Sequence, residues 1–386
     1  MQKTNADILV IGAGIAGASV AAHLAETRSV ILVEREERPG YHSTGRSAAL
    51  FTEIYGNATI RALTRASRRF LFGPPAEFTD GPLTRPRGCL YIATAAQLPA
   101  MSEFRALPDI APATRIVDVD EAHALCPILR REYVAEALLE PDCADIDVHA
   151  LHQGYLRLFK KRDGRLINNA PVHSLAYANG GWNVQAGTGS LTASVVVNAA
   201  GAWADEVAGL AGIARIGLTP RRRTAMLIDA PPDISIGGWP FVNDIDEQFY
   251  FKPDAGSIFL SPADETPAEP GDAQPEEWDI AAAVDRIEQA TTLQVRRLKA
   301  RWAGLRTFAP DRTPVVGYSP SAPAFFWLAG QGGYGIQTAP ALSRAAAALV
   351  LGSALPDDLT AQGLEAAAMS PQRFAMNDPA AAPRAP

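Results

Sequence analysis

The chain has 386 residues, 47% of them hydrophobic and 20% charged, so its composition is that of a folded globular protein and excludes disorder as the main state. Its length predicts roughly two to three domains. The 35 basic and 42 acidic residues give a net charge of −7, which argues against nucleic-acid binding, since nucleic-acid-binding proteins present a basic face.

The first predicted elements are a strand over 7–11, a helix that ends near residue 25 and a second strand over 30–34. Continuous apolar runs of this kind are typical of parallel strands buried on both faces. The apolar stretch Ile8–Ala25 contains several glycines and lacks a basic flank, so we interpret it as a strand and a packed helix rather than a signal peptide or membrane anchor.

The turn between the first strand and the helix reads Gly12-x-Gly14-x-x-Gly17. Gly12 permits the tight turn, Gly14 lets the backbone approach a pyrophosphate, and Gly17 lets the helix pack closely on the strand. Glu34 ends the second strand, where its carboxylate accepts hydrogen bonds from ribose hydroxyls. The motif predicts a dinucleotide site at the helix N-terminus.

A carboxylate at Glu34 suits an unphosphorylated ribose, as in FAD or NAD, and disfavours NADP. Flavin is favoured because no second dinucleotide fold follows in the chain. A second glycine-rich loop, Gly330–Gly335, opens another helix, and such an N-terminus stabilises negative charge on a reduced flavin ring.

The rest of the chain alternates between segments typical of a nucleotide fold and segments rich in β-strands, so both domains are predicted to be discontinuous. In the strand over 221–228, alternation places Arg221, Arg223, Ala225 and Leu227 on one face. The predicted helices are 60–72, 118–125, 148–161, 277–291 and a last one after 335; the other predicted strands are 193–201, 249–254, 257–260 and 325–329.

The cysteines, Cys89, Cys126 and Cys143, are odd in number and lack the spacing of metal ligands. We therefore expect reduced thiols in a cytoplasmic protein, with neither a disulfide scaffold nor a metal site.

Four long segments resemble the FAD-dependent amine and amino-acid oxidoreductases of the D-amino-acid oxidase and glycine oxidase type, and among them the D-arginine dehydrogenases most. The resemblance implies an α/β plus α+β fold, with a Rossmann-like domain that binds FAD non-covalently and a substrate domain built on an antiparallel sheet. We assign 1–50, 145–215 and 300–370 to the FAD-binding domain, 51–144 and 216–299 to the substrate domain, and 371–386 to a loose tail. The segments are Gly40–Ala49, Val197–Trp203, Trp302–Arg306 and Gln331–Thr338.

The resemblance also implies roles for individual residues. Arg223 and Arg306 match the arginines that hold the substrate carboxylate, and a planar guanidinium suits that task because it binds a carboxylate bidentately. Tyr55, on a lid over 50–56, and Tyr250 match tyrosines of the site, and Gly333 and Gln337 match positions beside flavin and substrate. The implied cofactor-binding residues are Gly12, Gly14, Ala16, Gly17, Glu34, Arg35, Ser43, Thr44, Gly45, Arg46, Ser47, Ala48, Val172, Ala200, Gly201, Trp203, Gly304, Gly332, Gly333, Tyr334, Gly335 and Ile336.

Two positions depart from the D-arginine dehydrogenases. Cys89 stands where they have a glutamate that receives the substrate's guanidinium, and Leu50 stands where they have a histidine on the lid. These changes make the pocket less polar and predict neutral or apolar D-amino acids as substrates. Glu53 and Asp244 are nearby acids that would restore binding of a cationic side chain.

The implied reaction is oxidative deamination, in which hydride passes from the substrate Cα to flavin N5 and the imine is hydrolysed to a 2-oxo acid and ammonia. The electron acceptor is a quinone, another acceptor or oxygen. One alternative is oxidation of glycine, sarcosine-like amines or a 2-hydroxy acid, and another is a broad D-arginine and D-lysine dehydrogenase. A flavin-binding module that acts on RNA or a protein partner is disfavoured by the acidic charge.

Overall fold

A computed structural model describes residues 4–375. The strands are β1 (Thr4–Ile11), β2 (Val30–Val33), β3 (Leu50–Phe51), β4 (Thr84–Pro86), β5 (Cys89–Ala93), β6 (Arg115–Val117), β7 (Glu136–Glu140), β8 (Ala144–Ile146), β9 (Arg165–Ile167), β10 (Val172–Ala178), β11 (Gly181–Ala186), β12 (Gly189–Asn198), β13 (Thr219–Asp229), β14 (Phe241–Asp244), β15 (Tyr250–Asp254), β16 (Ser257–Ser261), β17 (Leu298–Phe308), β18 (Val315–Tyr318) and β19 (Phe325–Ala329).

The helices divide into long ones that cover the sheets and short ones in the connections. They are α1 (Ile15–Leu24), α2 (Ala58–Phe72), α3 (Leu98–Arg105), α4 (Val119–Leu125), α5 (Val148–Lys161), α6 (Ala204–Leu210), α7 (Glu277–Ala290), α8 (Gly335–Val350), α9 (Asp357–Thr360), α10 (Ala366–Met369) and α11 (Gln372–Ala375).

The first sheet has eight strands, and its central part is parallel in the order β19-β12-β1-β2-β9. Strand β2 is apolar and buried throughout, as expected for a strand covered on both faces. The first half of β12 extends the sheet through antiparallel pairing with β11, which pairs in turn with β10. Helices α1, α2, α5 and α8 pack together on one face of this sheet. This is the Rossmann-like layer.

The second sheet also has eight strands, in the order β17-β13-β16-β15-β14-β5-β7-β6. Its neighbours are antiparallel except for β14 and β5, which run parallel. A third, small sheet has the order β3-β8-β4, and β3 begins directly after the segment Gly40–Ala49, which we call the flavin loop. The predicted second sheet, which is mainly antiparallel, is thereby confirmed.

Most predicted elements are present with shifts of a few residues at their ends. Helix α5 spans the predicted 148–161, and the predicted hairpin joins β15 to β16. Its turn residues Ala255 and Gly256 have φ of +45° and +76°, the left-handed conformation that tight hairpins require.

The structure differs from the predicted domain boundaries at two places, one strand and the start of the tail. Strand β17, which includes residues 300–308, pairs with β13 in the second sheet rather than joining the first. Residues 372–375 form α11, and Arg373 binds the carboxylate of Asp311, with its Nε 2.7 Å from an oxygen. The loose tail predicted from 371 therefore does not begin there, and residues 376–386 lie outside the described part of the chain.

Within residues 4–375, none of the helices combines the length and the apolar character needed to cross a membrane.

Candidate active site

The glycine turn after β1 is packed too tightly for any side chain at two of its three glycines. Gly12 has φ +96°, and a Cβ there would lie 2.5 Å from the Ala199 carbonyl oxygen. A Cβ on Gly17 would lie 1.8 Å from the Gly12 carbonyl oxygen. A Cβ on Gly14 would meet one atom within 4 Å, the Thr44 hydroxyl oxygen at 3.2 Å, so the turn is less crowded there than at Gly12 and Gly17.

The Glu34 carboxylate lies directly behind this turn. One of its oxygens accepts the N–H of Ala13 at 2.8 Å, and the other accepts the N–H of Glu36 at 3.0 Å. An ionised carboxylate has about four lone-pair sites, so acceptor capacity remains for ribose hydroxyls. The Thr44 hydroxyl accepts the N–H of Ile15 at 3.0 Å and ties the flavin loop to the start of α1.

A cavity of about 470 Å³ extends from the glycine turn to the second sheet. Its volume lies within the usual range for cofactor and ligand sites. The predicted cofactor residues that line it are Gly12, Gly14, Ala16, Glu34, Arg35, Ser43, Thr44, Arg46, Ser47, Ala48, Val172, Ala200, Gly201, Trp203, Gly304, Gly332, Gly333, Gly335 and Ile336.

Three predicted cofactor residues lie outside the cavity wall. Gly17 is occupied in packing α1 against the turn, and Gly45 closes its own loop by donating its N–H to the Gly40 carbonyl at 2.8 Å. The Tyr334 ring packs against Tyr55, with ring centroids 4.9 Å apart. Each of these residues contacts one that lines a cavity: Gly17 contacts Gly12, Gly45 contacts Gly40 and Tyr334 contacts Tyr55.

His42, which the sequence analysis did not assign to the cofactor, packs against the predicted cofactor residue Trp203 at the Glu34 end of the cavity. The His42 ring lies 4.7 Å from the Trp203 ring, and the Arg35 guanidinium lies 4.7 Å from the same indole. The Nδ1 atom of His42 and the Nε2 atom of Gln331 are buried without a protein partner, and both residues line the cavity. Buried polar atoms of this kind fit a large polar ligand, because they otherwise carry a desolvation cost.

At the other end of the cavity, Arg306 lies between two phenols. Its Nη1 lies 3.4 Å from the Tyr55 hydroxyl and its Nη2 lies 3.4 Å from the Tyr250 hydroxyl. Burial opposes the charge of Arg306, but Tyr250, Tyr55 and the Glu247 carboxylate outweigh it and raise the pKa of the guanidinium. Arg306 is therefore a permanent cation that faces a cavity.

Arg223 approaches the same phenol from strand β13. In the β13–β17 pairing Arg221 lies opposite Arg306, so Arg223 is its diagonal neighbour on the same face. The Arg223 Cζ lies 5.8 Å from the Tyr250 ring centroid. Burial opposes ionisation of Tyr250, yet Arg306 and Arg223 together lower the pKa of its phenol.

The hydrogen bonds of Arg223 are incomplete. Its Nε donates to the Asp264 carbonyl at 2.9 Å and its Nη2 to the Glu265 carboxylate at 3.1 Å, while Nη1 is buried without a partner. Glu265 also binds Arg312, so it is shared between two guanidinium groups. Two arginines beside one phenol form a site suited to a small carboxylate.

A second, smaller pocket of about 70 Å³ adjoins this end. It shares Tyr250, Arg306 and Gly333 with the large cavity, and Tyr55 and Gln337 line it as predicted. The wall residues not named by the motif analysis include Thr52, Tyr91, Phe241, Asn243 and Glu247. The pocket is compact, with an apolar wall and a few polar groups.

The residues proposed to set specificity fall into two groups. Leu50 and Cys89 line the small pocket. Glu53 and Asp244 do not: Glu53 binds Arg68 at 3.1 Å, and Asp244 accepts from Gln97 at 2.9 Å. The acid in the pocket wall is instead Glu247, whose carboxylate lies 3.4 Å from the Tyr55 hydroxyl.

Behind the pocket wall, the potential metal-binding atoms of Cys89, Cys143 and Glu140 lie within 4.8 Å of one another. The spacing of these residues in the sequence did not reveal this grouping. Burial raises the pKa of both thiols. At neutral pH both thiols are therefore protonated as long as no metal ion is bound.

Comparison with known proteins identifies relatives of this chain. The sequence model of the family described as FAD dependent oxidoreductase matches residues 7–349. The mitochondrial dimethylglycine dehydrogenase of Rattus norvegicus is 25% identical over 92% of the chain, and the chain spans 44% of that protein's length. The uncharacterized oxidoreductase YurR of Bacillus subtilis is 28% identical over 91% of the chain and 96% of its own length.

Solved structures agree on the fold. L-proline dehydrogenase from P. horikoshii superposes with a TM-score of 0.81 at 20% identity, covering 97% of this chain and 99% of that one. Glycine oxidase from Geobacillus kaustophilus gives a TM-score of 0.77 at 20% identity, covering 92% and 99% of the two chains. At these identities the likeness concerns the fold.

Proposed function

Because the chain belongs to the FAD-dependent oxidoreductase family, with FAD as its cofactor, we propose that it oxidises D-amino acids with neutral or apolar side chains. The products are 2-oxo acids and ammonia, formed through an imine. The observation that carries this proposal is the convergence of Arg223 and Arg306 on Tyr250, where the large cavity meets the small pocket.

Each part of the site has a task in this reaction. Arg306 and the free Nη1 of Arg223 bind the substrate carboxylate and fix the orientation of Cα. Tyr55 and Tyr250 flank that carboxylate, and the wall that includes Leu50 and Cys89 receives the side chain. Bound FAD, held without a covalent link by the residues of the large cavity, supplies the hydride acceptor.

A second candidate is the oxidation of glycine and its N-methylated derivatives. It is favoured by the small size of the pocket, about 70 Å³, and by the names of two relatives, dimethylglycine dehydrogenase and glycine oxidase. The same arginines would hold the carboxylate in both reactions. For both, the electron acceptor is a quinone, another acceptor or oxygen.

A substrate panel with an artificial electron acceptor distinguishes these candidates. We expect D-leucine, D-methionine and D-phenylalanine to be oxidised to their 2-oxo acids with release of ammonia, and glycine, sarcosine and dimethylglycine to react much more slowly. Faster oxidation of sarcosine or dimethylglycine would favour the second candidate. Efficient turnover of D-arginine would restore the D-arginine dehydrogenase interpretation, with Glu247 as the acid.

A further inference from the structure

The lid, residues 50–56, is held at its base by one buried carboxylate. The Thr52 hydroxyl donates to Glu140 Oε2 at 2.7 Å, and the Glu53 N–H donates to Glu140 Oε1 at 2.7 Å. Glu140 ends β7 and is 1% exposed. Both oxygens of a single side chain therefore fix two consecutive residues of the lid.

Thr52 and Glu53 lie between Leu50 and Tyr55, which both line the small pocket. Thr52 lines the small pocket as well, and the Tyr55 hydroxyl lies 3.4 Å from Nη1 of Arg306. The Thr52 N–H also lies 3.2 Å from the Gln337 side-chain oxygen, which belongs to α8. The position of Tyr55 over the carboxylate site thus depends on how firmly Thr52 and Glu53 are held.

Glu140 is an unusual group to find in this position, because burying a carboxylate without a cation is costly. Among the ion pairs of residues 4–375, none involves Glu140; the nearby Arg68 binds Glu53 and Asp142 instead. Glu140 is also the cross-strand partner of Cys89, which lines the small pocket. The carboxylate therefore joins the lid to the pocket wall.

We propose that Glu140 is a positioning residue, which holds the base of the lid so that Tyr55 closes over the carboxylate of a bound substrate. The substrate part of this inference rests on the proposed function, whereas the order of the lid does not. If it holds, loss of Glu140 weakens substrate binding and leaves the limiting rate of flavin reduction much less affected, because Glu140 lines neither cavity.

Three variants separate positioning from general stability. Glu140→Ala removes both hydrogen bonds. Glu140→Gln preserves both, since its amide oxygen accepts from the Glu53 N–H and its NH2 donates to the Thr52 hydroxyl oxygen. Thr52→Val removes one bond from the lid side, so it tests the contact even where Glu140→Ala fails to fold.

The matched control is Glu136→Gln, at the opposite end of the same strand. Glu136 binds Arg105 at 3.3 Å, outside the lid and both cavities.

Hydrogen exchange of the FAD-loaded enzyme measures the lid without any substrate. We expect amides of residues 50–57 to exchange about tenfold faster in Glu140→Ala, and less so in Thr52→Val, than in wild type. Glu140→Gln and Glu136→Gln should match wild type. Lid exchange that is unchanged in every folded variant that loses a bond would overturn the inference.

Anaerobic stopped-flow reduction by D-leucine then tests the consequence for binding. Glu140→Ala should raise the apparent dissociation constant about tenfold, with restoration by Glu140→Gln and a limiting rate within about threefold of wild type. A fall in the limiting rate with unchanged binding would contradict the positioning role. If D-leucine fails to reduce the wild-type flavin, the proposed function fails, and the exchange result alone decides the inference.

Discussion

Arg306 is the residue on which the proposed substrate site is centred. It donates toward Tyr55 and Tyr250 and lies on a strand next to that of Arg223. Arg306→Lys keeps the charge but loses the planar fork that binds a carboxylate through two parallel hydrogen bonds. We expect substrate binding to weaken by about ten- to a hundredfold, since hydrogen bonds between charged groups contribute about 1.5–3 kcal/mol.

Flavin titration with D-leucine measures this loss. The control is Arg301→Lys, on the same strand, where the side chain is exposed and binds Glu277. Equal effects of the two substitutions would argue against Arg306 as the carboxylate partner.

Glu247 supplies the negative charge of the small pocket. It has φ +54°, in the turn before β15, and its carboxylate faces the Tyr55 hydroxyl at 3.4 Å. Glu247→Gln should lower the specificity constant for D-lysine about threefold or more and change that for D-leucine little, because only a cationic side chain gains from the carboxylate. The ratio of the two constants is the measurement, and a fall of equal size for both substrates would contradict this role.

Single residues also show the limit of sequence reasoning. Arg223 and Arg306 were predicted through the family resemblance, because alternation along a strand identifies a face but not a ligand. Glu247 was missed in favour of Glu53 and Asp244, since its place in the pocket depends on the turn conformation between β14 and β15. That conformation has no clear signature in the sequence.

At the scale of elements, the packing of α1 on β1 fixes the geometry of the dinucleotide turn. Gly17→Ala places a methyl group 1.8 Å from a backbone oxygen, which cannot move aside as a flexible side chain would. We expect the variant to retain little or no FAD after purification, as measured by the ratio of absorbance at 450 nm to that at 280 nm. Gly209→Ala in α6 is the control, because a Cβ there meets no atom within 4 Å. Full flavin content in Gly17→Ala would contradict the assignment.

Glu140 links the lid to the pH dependence of stability. Burial, with the nearby Glu53 and Asp142 carboxylates, raises the pKa of this carboxyl from 4.5 to about 7, although hydrogen bonds from Thr52 and Glu53 oppose the rise. Between pH 4.5 and 7 the folded state holds a proton that the unfolded state has released, so this group makes the free energy of unfolding fall as pH rises.

Glu140→Gln lacks this dependence. We therefore expect the variant to gain stability relative to wild type as pH increases from 5 to 7, by at most about 1.4 kcal/mol per pH unit. Melting temperatures of both FAD-loaded proteins across this pH range test the prediction. A difference that is constant with pH would show that the carboxyl is not titrating in the folded protein.

Elements that depend on residues close together in the sequence were predicted well. The βαβ unit, α5 and the β15–β16 hairpin follow from apolar runs, helical periodicity and turn residues. The lid base was not predicted, because it depends on Glu140 meeting Thr52 and Glu53, which lie 88 and 87 residues earlier in the chain. The assignment of β17 to the second sheet is likewise a long-range pairing that strand propensity does not specify.

The whole molecule joins the Rossmann-like sheet to the mainly antiparallel sheet, with a cavity between them. Glycines of the turn after β1 lie at one end of the cavity and arginines of the second sheet at the other, so the two sheets together define the site. The chain crosses between the two large sheets several times. It also places residues near 46–50 at the junction, where flavin loop and lid meet.

The most direct test of the proposed function is anaerobic titration of the FAD-loaded enzyme with matched D- and L-amino acids, followed by the absorbance of the oxidised flavin. Bleaching by D-leucine, D-methionine or D-phenylalanine, with weak responses to D-arginine and to the L-enantiomers, is the predicted result. An oxidised spectrum that persists with every D-amino acid, but bleaches with sarcosine, dimethylglycine or a 2-hydroxy acid, would contradict it.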